Sequence, residues 1–312
     1  MLRTAAPGTN GAVSESQRYG SGLVVENRGH VRVLTLDRPE RRNALSTEVQ
    51  ADLVEQLLDA AEGGTVRAIV LTGNGPAFCA GFDLKEIRQQ DERGERFRPP
   101  MNRPGRSIFE VVTETPVPIV AALQGHAVAG GFELALACDL RVAAPGIKLG
   151  LPEATIGMGA NFASVVLPKR IPMGIALEML LVGEYVTSED AERWGLVNWV
   201  VPAADLLDEA KKVAAEIAEK SPTTLRFLKQ SFNADSDHQA GLSNLAMSAL
   251  DLFTHPPEGL EGAQAFAEKR APVWQAAPIC STRTRSASPS QSSATDFTYC
   301  ACPDVSPLRQ YS

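Results

Sequence analysis

Four short aliphatic runs, at Val31–Leu36, 67–72, Ile119–Leu123 and Leu140–Ala143, are separated by segments of helical periodicity or by loops. Alternation of this kind confines a chain to an α/β architecture with a mostly parallel sheet, because each crossover must carry the chain back to the starting edge. The first run stops at Asp37-Arg38-Pro39, where a proline cannot continue a central ladder. Thr47-Glu48-Val49-Gln50 has capping-box spacing, and Val49, Leu53, Leu57 and Ala61 then recur every fourth residue, as on one helix face. A further apolar helix is expected through 133–138, opened by Gly130. After Val201-Pro202, helical patterns cover Leu206–Ala218, 222–232 behind a Ser221 cap, and 241–253. Trp194 and Trp199 read as core or interface anchors.

With 312 residues, 44% of them hydrophobic, the chain can bury a large core. The divisions expected are an unstructured extension over 1–23, a core domain over 24–202, a helical region over 203–275 and a disordered tail over 276–312, whose Ser, Thr and Pro cannot build a core. Residues 89–105, charged and rich in Arg and Pro, read as a mobile loop beside the site, either gating the substrate or forming a solvated surface excursion. A formal net charge of -7 argues against a nucleic-acid or anionic-membrane surface, and no apolar run reaches the roughly 20 residues that span a bilayer. A cytoplasmic location is expected; the N-terminal segment with Arg3 and Arg18 leaves the mitochondrial matrix open. The five cysteines lack metal-site spacing and are too sparse for a disulfide framework; no metal site is expected. Cys79 and Cys138 read as small buried hydrophobes.

Chemistry concentrates around two acids. Glu133, in Ala129-Gly130-Gly131-Phe132-Glu133-Leu134, and Glu153, in Leu151-Pro152-Glu153, follow the segment Phe78-Cys79-Ala80-Gly81-Phe82-Asp83. A Gly-rich helix start presents backbone N–H groups, and two neighbouring carboxylates can divide general acid and general base work beside a carbonyl.

Several ordered motifs resemble those of the crotonase (enoyl-CoA hydratase/isomerase) superfamily. They are Asp37-Arg38-Pro39-Glu40-Arg41-Arg42-Asn43-Ala44-Leu45, the run from Phe78 to Lys85, the run from Gly125 to Leu134, Trp194-Gly195-Leu196-Val197-Asn198 and the C-terminal Ala265-Phe266-Ala267-Glu268-Lys269-Arg270. The resemblance implies a spiral of repeated β-β-α units followed by a helical trimerisation region, assembling as a homotrimer or dimer of trimers. It implies an acyl-CoA thioester as ligand, with coenzyme A part of the substrate and no separate cofactor. The N–H groups of Phe82 and Gly130 would form the oxyanion hole. Glu133 would position and activate water for attack at C3 of a trans-2-enoyl-CoA, and Glu153 would exchange the proton at C2. Arg41, Arg42, Lys85 and Lys269 are then candidates for the coenzyme phosphates. Ala44, Ala80, Asp83, Leu84 and Lys85 would line its path, and Phe266 and Lys269 would lie near it. Two features depart from the usual pattern: the segment Met158-Gly159-Ala160-Asn161-Phe162-Ala163-Ser164, which bears on the acyl pocket, and the phenyl ring at position 82. Hydration of an enoyl-CoA leads; another acyl-CoA reaction of the superfamily comes next, and a non-catalytic acyl-CoA-binding or RNA-binding role third.

Overall fold

The computed structural model describes residues 16–93, 107–233, 261, 264–265 and 267–271. Eleven strands occur among them: β1 (Ser16–Arg18), β2 (Leu23–Arg28), β3 (Val31–Leu36), β4 (Ala68–Gly73), β5 (Ala77–Cys79), β6 (Ile119–Leu123), β7 (His126–Val128), β8 (Leu140–Ala143), β9 (Lys148–Gly150), β10 (Val186–Thr187) and β11 (Trp199–Val200). They form a seven-stranded sheet in the order β1-β2-β3-β4-β6-β8-β11 and a four-stranded sheet in the order β10-β9-β7-β5. From β3 to β11 the larger sheet is parallel, and β1 and β2 join it as an antiparallel edge.

The two sheets arise from one repeated path. A long strand in the large sheet turns into a three-residue strand in the small one and then into a helix: β4 and β5 lead to α2 (Leu84–Glu92), and β6 and β7 to α4 (Gly130–Ala137). β8 and β9 lead to the 3-10 turn Pro152–Ile156 and then α5 (Asn161–Arg170). Successive β-β-α units therefore wind as a spiral, the arrangement expected. The three-residue strands of the small sheet carry too few positions to show a period of two, which is why the aliphatic runs revealed only the large sheet.

Alternate residues of the large sheet feed two cores, as strand geometry requires. Ile69, Leu71, Ile119, Ala121 and Leu123 pack toward α1 (Thr47–Gly63), α3 (Ile108–Glu114) and α4. Val31, Val33, Ala68, Val70, Val120, Ala122 and Val142 face the other way, onto α8 (Leu206–Ala218). α8 presents Leu206, Ala210, Ala214 and Ala218 at every fourth position, a face flat enough to lie close to the strands. The helical region placed beyond residue 202 thus begins inside the core. α9 (Pro222–Asn233) follows, anchored where Lys229 Nζ meets Asp139 Oδ2 at 2.7 Å and Asn233 Nδ2 donates to the Thr113 carbonyl at 2.8 Å.

Three boundaries differ from expectation. The extension ends in ordered structure: Ser16–Arg18 pairs with Val24 to Glu26, and Leu23 is fully buried. α1 is capped one residue earlier than the capping-box spacing implies, by Ser46 Oγ accepting from Val49 N, because Ser46 has the extended backbone a cap needs. The expected loop over 89–105 starts late, since α2 runs to Glu92; positions 94–105 lie outside the described residues, as do the expected helix 241–253 and the tail 276–312. Trp194 packs half-buried against the core, whereas Trp199 is an exposed residue of edge strand β11. No helix among the described residues is long and apolar enough to cross a membrane.

Candidate active site

The site begins at the start of α4. Ala129 caps this helix with a positive φ (φ 52, ψ −133), a conformation that L-residues rarely adopt. Its N–H donates to the Gly150 carbonyl at 2.9 Å, and its carbonyl accepts from Phe132 and Glu133. Clamped from both sides, the turn redirects the chain from β7 into α4 and leaves the Gly130 N–H at the first helical position, where helix geometry supplies no i−4 acceptor. The N-terminal end of the helix adds partial positive charge at that point. All eight residues of α4 are buried, so this field is not screened by bulk water.

Glycines keep the space around that N–H open. Gly81 lies opposite with φ +92, and a Cβ there would come within 3.1 Å of both the Gly130 nitrogen and the Ala129 Cβ. A Cβ on Gly130 would meet the Phe82 ring at 3.2 Å, so that ring lies over the helix start. Phe82 packs edge-on against Phe109 with centroids 5.9 Å apart, and Phe109 lies 5.6 Å from Phe162. An aromatic wall therefore runs from the helix start to α5.

Glu133 stands one turn along α4 from Gly130, hence on the same face. It is 3% exposed, and its Oε1 accepts the Ala163 N–H at 2.9 Å. Because Ala160, the N-cap of α5, has no side-chain acceptor to offer, Glu133 caps α5 from across the site. Burial pushes its carboxyl up to about 8, with the neighbouring Glu153 charge adding to the rise and the Ala163 and Phe162 N–H groups opposing it. Glu153, in the turn Pro152–Ile156, is also buried; desolvation raises it to about 7, against the pull of its own N–H. Its Oε2 has no hydrogen-bond partner among the described residues. Glu153 lines a largely apolar cavity of about 630 Å³ together with residues of α5 and α6 (Met173–Leu177).

Raised carboxyl pKa values have a cost in stability that can be measured. Between the ordinary carboxylate value and about 8, the folded chain retains protons that the unfolded chain releases, so stability falls as pH rises through this window. Glu133→Gln removes that liability while keeping an oxygen for Ala163 N–H. The variant should melt higher than the parent at pH 8.5 by at least about 3 °C, and the gain should vanish near pH 4. Thermal scans across pH test this; a gain independent of pH would contradict it.

The expected coenzyme residues fall on a second, adjoining stitch. The loop after β3 is sewn to the segment after β5 by Ala80 N to Arg42 O (3.1 Å), Leu45 N to Gly81 O (2.8 Å) and Asp83 N to Leu45 O (3.1 Å). Ala44 is buried and Ala80 and Leu84 are half-buried along this seam; Arg41, Arg42 and Lys85 are exposed beside it. Asp83 is already occupied: it pairs with Arg38 at 3.3 Å and caps α2 through the Lys85 and Glu86 N–H groups. Its carboxylate holds the seam together. Asn43, buried with φ 56, donates to the Asn74 and Ala77 carbonyls and accepts from Arg38 N. Lys269 is exposed, and Phe266 lies outside the described residues. Cys79 and Cys138 are buried free thiols whose pKa burial pushes up to about 12, which makes them inert fillers. No cluster of metal-ligating side chains occurs among the described residues.

The sequence alone did not mark Ala129, Phe109 or the Ala163 N–H as parts of the site. Only Phe162 and Ala163 carried a signal, through the unusual segment after Glu153.

A β-β-α spiral that brings a glycine helix start and two buried carboxylates together is the crotonase fold. Solved structures agree: a carnitinyl-CoA hydratase of Mycobacterium avium is 35% identical with a TM-score of 0.73, over 82% of this chain and 99% of that one. An enoyl-CoA hydratase of Bacillus anthracis is 34% identical with a TM-score of 0.63, over 81% and 98%. Among sequence relatives, a Thermus thermophilus protein provisionally described as an enoyl-CoA hydratase is 40% identical, over 80% of this chain and 99% of its own. The carnitinyl-CoA dehydratase of Proteus mirabilis is 34% identical over 81% and 98%. The family model for enoyl-CoA hydratase/isomerase matches residues 26–277. The chain belongs to the enoyl-CoA hydratase/isomerase family and is an enzyme of it.

Proposed function

We propose that this enzyme adds water reversibly and syn to a trans-2-enoyl-CoA, giving a 3-hydroxyacyl-CoA. The observation that carries the proposal is the pair of buried carboxylates with pKa values raised to about 8 and about 7, which lets one proton reside on the pair near neutral pH. Glu133 takes the proton of water attacking C3, and Glu153 delivers a proton to C2. Negative charge developing on the thioester oxygen is received by the N–H groups of Phe82 and Gly130, aimed before reaction begins. Coenzyme A enters as part of the substrate, with its pantetheine along Ala44, Ala80 and Leu84 and its phosphates toward Arg41, Arg42, Lys85 and Lys269. No resident cofactor or metal takes part in these steps.

Assembly as a homotrimer or dimer of trimers fits the apolar surface of α9, where Phe227 and Leu228 are 66% and 55% exposed.

The relatives named for carnitinyl-CoA favour a second reading, dehydration of a thioester whose acyl group carries a trimethylammonium. The same pair of acids would serve it in reverse. The test that separates the two is loss of the enoyl-thioester absorbance when the enzyme meets a short, uncharged trans-2-enoyl-CoA in D2O. One deuteron should appear at C2, on the same face as the new hydroxyl; unchanged absorbance together with turnover of a different thioester would sink the proposal.

A further inference from the structure

We infer that the cavity beyond Glu153 selects acyl groups with an uncharged aliphatic tail and turns away tails ending in a quaternary ammonium. The inference rests on the proposed hydration reaction and narrows its substrate.

The cavity wall has a clear chemical bias. Met173, Leu177, Leu180 and Leu181 recur at the spacing of one helix face, along α6 and the π-helical turn Glu178–Val182, and all four line the cavity. Met179, between them, points the other way into the core and is 1% exposed. Met158 and Val165 are among the apolar residues that line it from the α5 side. Leu181 and Met173 are 72% and 57% exposed, a large apolar area for a protein to leave bare unless something apolar lies against it. With about 630 Å³, the space is of the size that holds a small-molecule tail.

Binding a quaternary ammonium requires aromatic faces or a carboxylate within reach. None of the described lining residues is aromatic; Tyr185, close enough to Glu153 to feel its charge, lies outside this lining with its ring over Gly150. Glu153 is the sole acid among the described lining residues, and burial disfavours its charged form. Lys169, the sole basic residue among those described in the lining, bears the same sign as the ammonium. A tail with a terminal carboxylate could pair with Lys169, but it would have to cross the apolar stripe.

The experiment compares kcat/KM for trans-2-enoyl-CoAs of four, six and eight carbons, a four-carbon ester with a 4-trimethylammonium group, and an eight-carbon ester ending in a carboxylate. The value should rise at least about tenfold from four to eight carbons, from burial of the added methylenes. The ammonium ester should fall at least about a hundredfold below its neutral four-carbon counterpart. Val165→Phe should cut the eight-to-four-carbon ratio about tenfold through KM. Lys169→Glu, at an exposed position that folding tolerates, should raise the ammonium ester relative to the neutral one. A flat length profile, as expected if the leucine stripe serves only contact between copies, would overturn the inference while leaving hydration intact. So would preference for the ammonium or carboxylate ester, or ratios that neither variant moves. Failure to hydrate any of the esters would bring down the proposed reaction along with it.

Discussion

Glu153→Gln should lower kcat for hydration of a short enoyl-CoA by about 10²–10⁴-fold with little change in KM. The carboxamide is close in shape, and Oε2 has no hydrogen bond among the described residues to lose, so the variant should fold and bind while lacking a transferable proton. Glu133→Gln should lose a similar factor, and the double variant little more, because two groups that share one proton act as a unit. In the parent enzyme the pH dependence of kcat/KM should be a bell with its maximum between about 7 and about 8. Below it both carboxyls are protonated and no base remains; above it both are ionised and no acid remains. Both carboxyls are raised by burial and Glu133 also by the charge of Glu153, so the two titrate as one coupled pair that shares a proton. Retained turnover in Glu153→Gln, or a profile flat from pH 6 to 9, would remove the pair from the mechanism.

Gly131→Ala should abolish stable folding, at a cost above about 4 kcal/mol. A Cβ on Gly131 would stand 2.0 Å from the carbonyl oxygen and 2.5 Å from the carbonyl carbon of Cys79, both backbone atoms of β5 that no rotamer change can move. β5 pairs with β7, which feeds the clamped turn at Ala129, so relief on one side would displace the helix start on the other. Gly174→Ala makes a matched control, since nothing lies within 4 Å of its Cβ position and alanine favours a helix. Soluble yield and thermal melting distinguish the two; a Gly131→Ala protein with a parental melting point would refute the close contact.

Much of this was legible along the chain where a residue's chemistry and its backbone act together. Ile119–Leu123 and Leu140–Ala143 were read to the residue because short, largely aliphatic runs end at turn-forming residues. Leu206–Ala218 was equally clear from its periodicity. Glu133 and Glu153 stood out through their motifs, and both prove buried, which no single-sequence pattern establishes. What stayed hidden depends on distant partners. Phe109 joins the site by packing between Phe82 and Phe162, residues far from it in sequence. The structural part of Asp83 was equally hidden: its carboxylate pairs with Arg38 and accepts from the first amides of α2. The strained Ala129 gave no sign, since alanine is not the residue that a positive φ predicts.

The described wall of the cavity comes from a single stretch, residues 153–181, whereas the glycine helix start and the coenzyme seam are assembled from segments that precede it. The wall that faces the acyl group is thus contributed by one stretch, tied to α4 through the Ala163 N–H on Glu133. Exchanging only its cavity-facing side chains, Met158, Val165, Met173, Leu177, Leu180 and Leu181, for those of a relative would retailor the tail accepted while leaving the Ala163 N–H on Glu133 and the backbone contacts at Cys79 and Gly131 in place, which gives evolution, and a protein engineer, a place to alter diet without altering chemistry.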